Sequence, residues 1–156
     1  MSRKQELANA ITTEVRRSQI RTDAYDDAVA TALGVNRTDY RCIDALDVEG
    51  PMTAGQLAAV VGISSAAMTT ALDRLERAGM ARRRRDEQDR RRVVVEIDPD
   101  VRKRGWEYYE PLARMGAELM ERFTAAELEI VLRFLREANE LATGSLDELH
   151  RTLAAK

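Results

Sequence analysis

The chain has few cysteines, histidines, prolines and aromatic residues, and each scarcity excludes a class of structure. Its one cysteine, Cys42, excludes a disulfide within one chain. Together with the one histidine, His150, it provides too few ligands for a Cys/His zinc site. Three prolines and an aromatic content of 4% favour helices over sheets. We therefore expect a mainly α-helical protein that needs no metal and no cofactor.

Long apolar runs are absent from the sequence as well. Nothing approaches the ~18 consecutive apolar residues that cross a membrane. The first ten residues, MSRKQELANA, lack the apolar run of a signal peptide. The sequence thus predicts a cytoplasmic protein without a membrane partner. Its 156 residues suffice for one compact unit with one core.

Acidic and basic residues nearly balance, with a formal net charge of -2, but they are unevenly distributed. Residues 51–104 hold 12 basic and 8 acidic side chains, whereas the segments before and after are net acidic. Within this middle segment, ARRRRDEQDRRRVVVEI (residues 81–97) contains seven arginines. Solubility alone does not explain such a block, which indicates a polyanionic partner.

The N-terminal residues 5–33 carry apolar side chains at spacings near four, which predicts one long helix. Polar Ser18 and Thr22 interrupt this stripe, a pattern that suits a partner helix better than the core of a monomer. Gly34 ends the helix, and Asn36 can cap a second one. The apolar stripe consists of Leu7, Ile11, Val15, Tyr25, Val29 and Leu33.

Residues 53–80, TAGQLAAVVGISSAAMTTALDRLERAGM, contain the signals of two short helices joined by a turn. A capping box starts the first helix at Thr53, and Gly62 ends it. Ser64 can cap the second helix, whose first turns are small and rich in hydroxyl groups. The apolar face of that helix consists of Met68, Leu72 and Leu75. This pattern is typical of the helix-turn-helix of DNA readers.

The period of the pattern changes from helical to alternating after Gly79. The β-branched run VVVEI predicts a hairpin with strands near 80–84 and 92–97 and a tip at residues 86–91. A hairpin that follows a recognition helix is a wing, and its arginines can reach phosphates or the minor groove. We expect Asp89 to hold a neighbouring arginine by paired hydrogen bonds.

The C-terminal third of the sequence predicts three more helices. The first begins at Asp98-Pro99 and is expected to kink at Pro111. The second begins at a capping box on Thr124, and Gly144 is expected to interrupt it. A short terminal helix then begins at Ser145.

These motifs resemble those of the multiple-antibiotic-resistance regulator (MarR) family of winged helix-turn-helix proteins. GPMTAGQLAAVVGISSAAMTTALDRLERAGMARR looks like the family's helix-turn-helix, and DEQDRRRVVVEI like its Asp-x-x-Asp-Arg-Arg wing motif. The resemblance covers about residues 35–105. Glu87 stands where the family often has proline, and Ile97-Asp98 where it often has Leu-Thr.

The resemblance implies a homodimer that binds a pseudo-palindromic operator in double-stranded DNA. It divides the chain into an N-terminal dimerisation helix (1–34), a winged helix-turn-helix lobe (35–99) and C-terminal dimerisation helices (100–156). The major-groove candidates are Ser64, Ser65, Ala66, Thr69, Thr70 and Arg74. The wing candidates are Arg83, Arg85, Asp89, Arg90 and Arg91. Of these, we expect Arg91, and after it Arg90, to enter the minor groove, and Asp89 and Arg83 to brace the wing.

The family implies a repressor that releases DNA when a small aromatic or lipophilic acid binds between the dimer helices and the DNA-binding lobe. The aromatic residues that could line such a site are Tyr25, Tyr40, Trp106 and Tyr109. Each of them could also be ordinary packing at a helix junction.

Other functions remain open at this point. Cys42 suggests a redox-sensing repressor, although a buried structural cysteine fits its apolar neighbours better. A helical interaction protein that does not bind DNA would explain the long helices but leave the arginines unexplained. The acid pairs Asp26-Asp27 and Glu137-Glu140 have no nucleophile or phosphate loop nearby, so we do not expect an enzyme.

Overall fold

The computed structural model describes residues 1–154, except for the side chains of residues 147, 150 and 154. His150, considered above as a zinc ligand, therefore lies outside the described side chains. The elements in chain order are α1 (Arg3–Leu33), α2 (Arg37–Glu49), α3 (Ala54–Val61), α4 (Ser65–Arg77), β1 (Ala81–Arg85), β2 (Val93–Ile97), α5 (Pro99–Met120) and α6 (Ala125–Ala154). This order confirms the predicted mainly helical fold with one small hairpin. The chain divides into two compact units, residues 1–108 and the residues from 109 on, so the expectation of one compact unit was wrong.

Helix α1 is as long as its apolar spacing predicts. The Ser2 side chain caps its start by accepting a hydrogen bond from the Gln5 amide at 3.3 Å. Gly34 ends it with a φ of 72°, a left-handed conformation that glycine adopts without steric cost. Its buried residues are Val29 and Ala30, and the N-terminal half of the stripe, including Leu7, is exposed.

Local capping signals set the helix-turn-helix. Thr53 begins α3 with a reciprocal capping box, and Gly62 ends it with a φ of 72°. The Ser64 side chain then accepts a hydrogen bond from the Ala67 amide at 3.2 Å and begins α4. The two helices are bent by 108° relative to each other, within the range of roughly 90–120° typical of this motif.

The core lies between α2, α3, α4 and the hairpin. Leu57 of α3, Leu72 of α4 and Cys42 of α2 are fully inaccessible to solvent. Val95 of β2 belongs to the same cluster, and a short antiparallel bridge between Val95 and Met52 ties the hairpin to the segment before α3. Because one face of α4 is buried in this cluster, its opposite face is turned outward.

The wing is a two-stranded antiparallel hairpin. Its register pairs Ala81 with Ile97 at the base and Arg85 with Val93 near the tip. The alternation predicted from VVVEI is observed, since Val95 and Ile97 are buried and Glu96 between them is only partly buried. The strand bounds differ from the predicted ones by a single residue at each strand's start and at the end of β1.

The C-terminal third of the chain has two helices rather than the predicted three. Helix α5 continues through Pro111. Helix α6 continues through Gly144, so the expected break there and the short helix from Ser145 were wrong. A single glycine costs a helix only about 1 kcal/mol relative to alanine, and the flanking sequence ELATGSLDEL is otherwise rich in helix formers. None of the α6 side chains that the structure describes is buried.

Within the described residues, no single helix is long and apolar enough to cross a membrane. Helices α3 and α4 meet the length and composition criteria only when taken together, across the 108° bend. Their apolar residues, such as Leu57 and Leu72, are those of the core cluster.

Two adjacent valines of α3 test the position of the core. Val61 is 2% exposed and Val60 is 53% exposed. We expect Val61→Ala to lower the free energy of unfolding by roughly 2 kcal/mol, because it removes buried methyl groups and leaves a cavity. The matched change Val60→Ala should stay within about 0.5 kcal/mol of the wild type. Urea denaturation followed by circular dichroism measures both; equal effects would contradict this placement of α3.

Candidate nucleic-acid interface

The N-terminal turns of α4 present a small, polar, exposed surface. Ser64, Ser65 and Ala66 at the start of the helix are exposed, as are Thr69 and Thr70 one turn later. The opposite face is buried; it consists of Met68, Ala71, Leu72 and Leu75. The structure thus brings five of the six predicted major-groove candidates to one outward surface.

The two threonines of this surface are oriented by their own helix. The Thr69 hydroxyl donates to the Ser65 carbonyl at 3.0 Å, and the Thr70 hydroxyl donates to the Ala66 carbonyl at 3.1 Å. A hydroxyl that donates its hydrogen to a backbone carbonyl still has its oxygen lone pairs available to accept a hydrogen bond. In a major groove such acceptors suit the amino groups of cytosine and adenine.

The sixth candidate, Arg74, is engaged elsewhere. Its Nε and Nη2 donate to the two carboxylate oxygens of Asp39 on α2, at 3.0 Å and 2.6 Å. The Asp39 side chain is 7% exposed, whereas that of Arg74 is 39% exposed. This hydrogen bonding, followed by the charge of Asp39, raises the pKa of Arg74. The pairing was not anticipated from the sequence, because the two residues lie 35 positions apart and neither belongs to a local motif.

Arg83 fastens the wing to the recognition helix α4. Its guanidinium pairs with Glu76 through Nη1 and with Asp73 through Nη2, the latter at 3.1 Å. Its backbone amide donates to the same Glu76 carboxylate at 2.9 Å. These contacts support the predicted bracing role of Arg83, because they fix the hairpin relative to α4.

Two further arginines of the wing are neutralised within the hairpin. Arg82 and Arg84 both donate to Glu96 on the opposite strand, at 2.7 Å and 2.5 Å. The hydrogen bond from Arg84 is the main cause that lowers the pKa of Glu96, and the same bond raises the pKa of Arg84. These two arginines therefore stabilise the hairpin more than they offer charge to a partner.

The remaining charge is concentrated at the wing tip. Among the residues that the structure describes, Arg85, Arg90 and Arg91 are exposed and form no side-chain ion pair or hydrogen bond. Arg92 donates to the Gln56 side chain at 3.2 Å. Three of the seven arginines thus remain available to an external anion.

The acids of the wing tip hold backbone rather than guanidinium groups. The Asp89 side chain accepts from the Arg91 amide at 3.0 Å, and that of Asp86 accepts from the Gln88 amide at 2.9 Å. The expectation that Asp89 would hold a neighbouring arginine side chain was therefore wrong. These turns shape the tip through local side-chain-to-backbone bonds, and they leave the guanidinium of Arg91 unpaired.

Arg41 is a positioning contact that the sequence did not reveal. Its Nη2 donates to the carbonyl of Val61, in the last turn of α3, at 2.7 Å. A cation at a helix C-terminus satisfies a carbonyl left without a helical partner and complements the helix dipole. Helix α2 therefore contacts α3 through Arg41 and α4 through Asp39.

The four aromatic candidates for a ligand site are differently placed. Tyr40 is buried and lines a cavity of about 390 Å³, together with Asp23, Asp26, Asp27, Arg37, Arg41 and Asp44. The Tyr25 hydroxyl donates to the Tyr108 carbonyl at 2.5 Å. Trp106 is 56% exposed, and Tyr109 is partly buried. The structure places one of the four, Tyr40, in this cavity.

The lining of this cavity is ionic. Arg37 pairs with Asp23 at 3.3 Å and with Asp27 at 3.1 Å. Burial, followed by the charges of Asp26 and Asp47, raises the pKa of Asp44. Four carboxylates face two guanidinium groups, so the cavity favours cationic over anionic groups. In the described part of the chain, no cluster of three or more His, Cys, Asp or Glu side chains could hold a metal ion.

Cys42 lies in the core and is fully inaccessible to solvent. Burial, followed by the charge of Asp39, raises the pKa of its thiol to about 11. Reactive cysteines need the opposite surroundings, which are exposed and electropositive and lower the thiol pKa. The structure therefore favours a packing role for Cys42.

Comparison with known proteins adds a sequence relationship to this geometry. The family model described as the MarR family matches residues 35–93. The chain is 36% identical over 134 residues to the Uncharacterized HTH-type transcriptional regulator YcgE of Bacillus subtilis (strain 168). That alignment covers 86% of this chain and 87% of YcgE.

Solved structures show the same fold. A MarR family protein from Bacillus stearothermophilus superposes with a TM-score of 0.64 at 22% identity, covering 92% of this chain and 99% of that one. NadR, solved in complex with 4-hydroxyphenylacetate, superposes with a TM-score of 0.61 at 20% identity, covering 82% of this chain and 91% of NadR. These two proteins share the winged helical architecture described above.

The burial of Cys42 gives a direct chemical test. A thiol pKa of about 11, against an ordinary value of 9.0, leaves about a hundredfold less thiolate at neutral pH. We expect a thiol reagent such as Ellman's reagent to react with native Cys42 at least about a hundredfold more slowly than with the protein in denaturant. The control is an exposed thiol, Ala66→Cys in a Cys42→Ala background, which should react fast when native. Fast native labelling of Cys42 would overturn its packing role.

Proposed function

The chain belongs to the MarR family of DNA-binding transcription regulators, and from this premise we propose that it is a repressor that binds a pseudo-palindromic operator as a homodimer. Its partner is double-stranded DNA, and its place of action is the cytoplasm, where it meets the chromosome. Its role is to occupy DNA without catalysing a reaction. The observation that carries the proposal is the set of unpaired arginines at the wing tip, on a wing that Arg83 fastens to α4.

Charge and geometry on the two surfaces support different tasks in DNA binding. The exposed face of α4 from Ser64 to Thr70 is small and hydroxyl-rich, which lets the helix approach base edges closely in a major groove. The guanidinium of Arg91 is unpaired and exposed, and arginine suits the negative potential of a narrow minor groove. We assign base reading to α4 and minor-groove binding to Arg91, with Arg85 and Arg90 serving phosphates.

Exposed apolar side chains on the long helices support the homodimer. On α6, Phe134 and Leu135 are 42% and 49% exposed, and on α1, Leu7 and Ile11 are both 47% exposed. Surfaces of this kind on a soluble chain mark an interface with another protein. We propose that residues 1–34 and 100–156 dimerise, while residues 35–99 bind DNA. A second copy places two recognition helices about 10 base pairs apart on a symmetric site.

An aromatic effector that releases the DNA is the second part of the proposal. NadR holds 4-hydroxyphenylacetate, and in this chain Tyr40 lines a cavity large enough for a small ring compound. The carboxylates of that cavity favour an aromatic cation over the aromatic acid expected from the sequence. The rival regulator that senses oxidants through Cys42 is not favoured, because that thiol is buried and its pKa is raised.

The wing assignment is tested by Arg91→Ala in an electrophoretic mobility-shift assay across a salt series. The duplex is one that the wild type selects from a random pool. We expect Arg91→Ala to weaken binding by about 10- to 100-fold, which corresponds to about 1–3 kcal/mol for a lost arginine contact. The control is Arg102→Ala, which removes the same charge from an arginine paired with Asp47 at 2.9 Å. It should change affinity by less than about threefold.

The same assay also tests the proposed function itself. Wild-type retardation should weaken steeply with salt, and the complex should contain two chains per duplex. A folded wild type that selects no duplex would refute operator binding. Equal losses of affinity in Arg91→Ala and Arg102→Ala would instead mean that Arg91 contributes only its positive charge and makes no specific contact to DNA.

The effector proposal is tested with 4-hydroxyphenylacetate and tyramine, which share a 4-hydroxyphenyl ring and carry opposite charges on their side chains. We expect tyramine to raise the unfolding temperature more, because four carboxylates line the cavity against two guanidinium groups. Asp44→Asn should reduce the effect of tyramine. Stabilisation by the acid alone would overturn the cavity assignment, and the absence of any shift with either compound would count against an aromatic effector.

A further inference from the structure

Asp39 is the one buried charged side chain among the residues that the structure describes, with 5% of its surface exposed. A carboxylate in a protein interior is stable only when its charge is paired and its lone pairs are hydrogen-bonded. Here both oxygens accept from Arg74, and one of them also accepts from the Asn36 amide group at 2.9 Å. The carboxylate is therefore well satisfied, and the members of the network lie on α2, on its N-cap residue Asn36 or on α4.

Arg74 lies on α4 one turn after Thr70, on the same side of the helix as the proposed DNA-reading surface. The apolar face of α4, including Leu72, holds the helix to the core, but hydrophobic contacts are not directional. A bidentate arginine–carboxylate pair is directional, since it requires two parallel hydrogen bonds. The pair with Asp39 therefore fixes the rotation of α4 about its axis, and with it the direction in which Thr69 and Thr70 face.

The second contact from α2 fixes the preceding helix. Arg41 donates to the Val61 carbonyl at the end of α3, two residues along α2 from Asp39. The same helix thus holds both members of the helix-turn-helix by charge-assisted hydrogen bonds, and the 108° bend between them is set from outside the turn as well as by Gly62.

We propose that Arg74 and Asp39 are positioning residues that set the orientation of the recognition helix, and that Arg74 is not a contact to DNA. This inference rests on the proposed function and replaces the major-groove role expected for Arg74. Moving Arg74 to a phosphate or a base would leave the Asp39 carboxylate buried without a cation, a cost that the DNA contact would have to exceed.

Asp39→Asn separates the two roles because they predict opposite signs. If Arg74 contacts DNA, loss of the Asp39 charge frees a cation beside the duplex and strengthens binding. If the pair positions α4, the same change weakens binding to the selected duplex. We expect a loss of at least about tenfold on the selected duplex. Binding to random duplex should be unchanged or tighter by less than about twofold, because non-specific affinity depends on charge, which becomes less negative, rather than on helix orientation.

The matched control is Asp47→Asn, on the same helix and with the same change of charge, at a carboxylate that is 53% exposed. It should leave operator binding unchanged or slightly tighter. An Asp39→Asn protein that binds the selected duplex as tightly as the Asp47→Asn protein would overturn the proposal.

Salt dependence gives a second, independent readout on Arg74→Gln. A lost phosphate contact lowers the slope of log affinity against log salt by about 0.9 for each chain. We expect the affinity to fall and the slope to stay unchanged. In the double variant Asp39→Asn/Arg74→Gln two amides can hydrogen-bond to each other, so we expect the losses to be strongly non-additive. A reduced slope with additive losses would return Arg74 to the list of DNA contacts.

Hydrogen–deuterium exchange in the absence of DNA tests the positioning role even if the protein binds no duplex. In Asp39→Asn the amides of residues 68–74, which have helical hydrogen-bond acceptors, should exchange at least about fivefold faster than in Asp47→Asn, while those of the core residues of α2 stay protected. Equal exchange in both variants would overturn positioning, whatever the DNA experiment shows. A wild type that binds no duplex would refute the proposed function. Faster exchange in Asp39→Asn than in Asp47→Asn would still support the positioning role of Asp39 and Arg74.

Discussion

The burial of one face of α4 is the constraint on which the proposed interface depends. Leu72 and Leu75 lie in the core with α2, α3 and the hairpin, and their burial leaves Ser65 and Thr69 on the outside. A non-directional force decides only which face is inside. In the proposed arrangement, polar contacts set how far α4 is rotated about its axis, and the pair of Asp39 with Arg74 is one of these contacts. In this proposal, hydrophobic burial and one ion pair with a buried carboxylate together determine how the helix is presented.

Carboxylates sort the arginine block into two populations. Glu96 and Glu76 hold Arg82, Arg84 and Arg83 within the protein. Arg85, Arg90 and Arg91 remain toward solvent at the tip. In the sequence all seven lie close together, and contacts formed only in the fold separate them. Arg83 and Arg85 share a strand face, yet Arg83 pairs with carboxylates of α4, and Arg92 donates to Gln56. A high local density of arginine thus serves the hairpin's own stability as well as its charge.

Local signals in the sequence predicted much of this structure. The capping box at Thr53, the cap at Ser64 and the alternation of VVVEI each depend on residues within a few positions, and each element forms as expected. Residue patterns also sufficed to indicate the MarR family, which the family match and the YcgE relationship confirm. The predicted break at Gly144 was wrong because a single glycine is a weak signal within a sequence that otherwise strongly favours a helix.

Contacts between distant parts of the chain could not be predicted in the same way. The pair of Asp39 and Arg74 spans 35 residues, and the contact from Arg41 to the Val61 carbonyl involves a backbone atom that has no sequence signature. By its position Asp39 is an acid in the first turn of α2, where it favours the helix dipole. Its burial follows from packing between helices, which residue spacing does not encode.

The exposure of α6 has a consequence for the protein at low abundance. A helix of 30 residues with no buried described side chain gains little from packing against its own chain, so in the proposed homodimer its order would depend on association. By mass action, dilution then favours a less ordered C-terminal segment. For the proposed homodimeric repressor, DNA occupancy would then depend on the amount of protein in two ways, through the number of molecules and through the fraction of them that is assembled. Repression would therefore rise more steeply than in proportion to expression level.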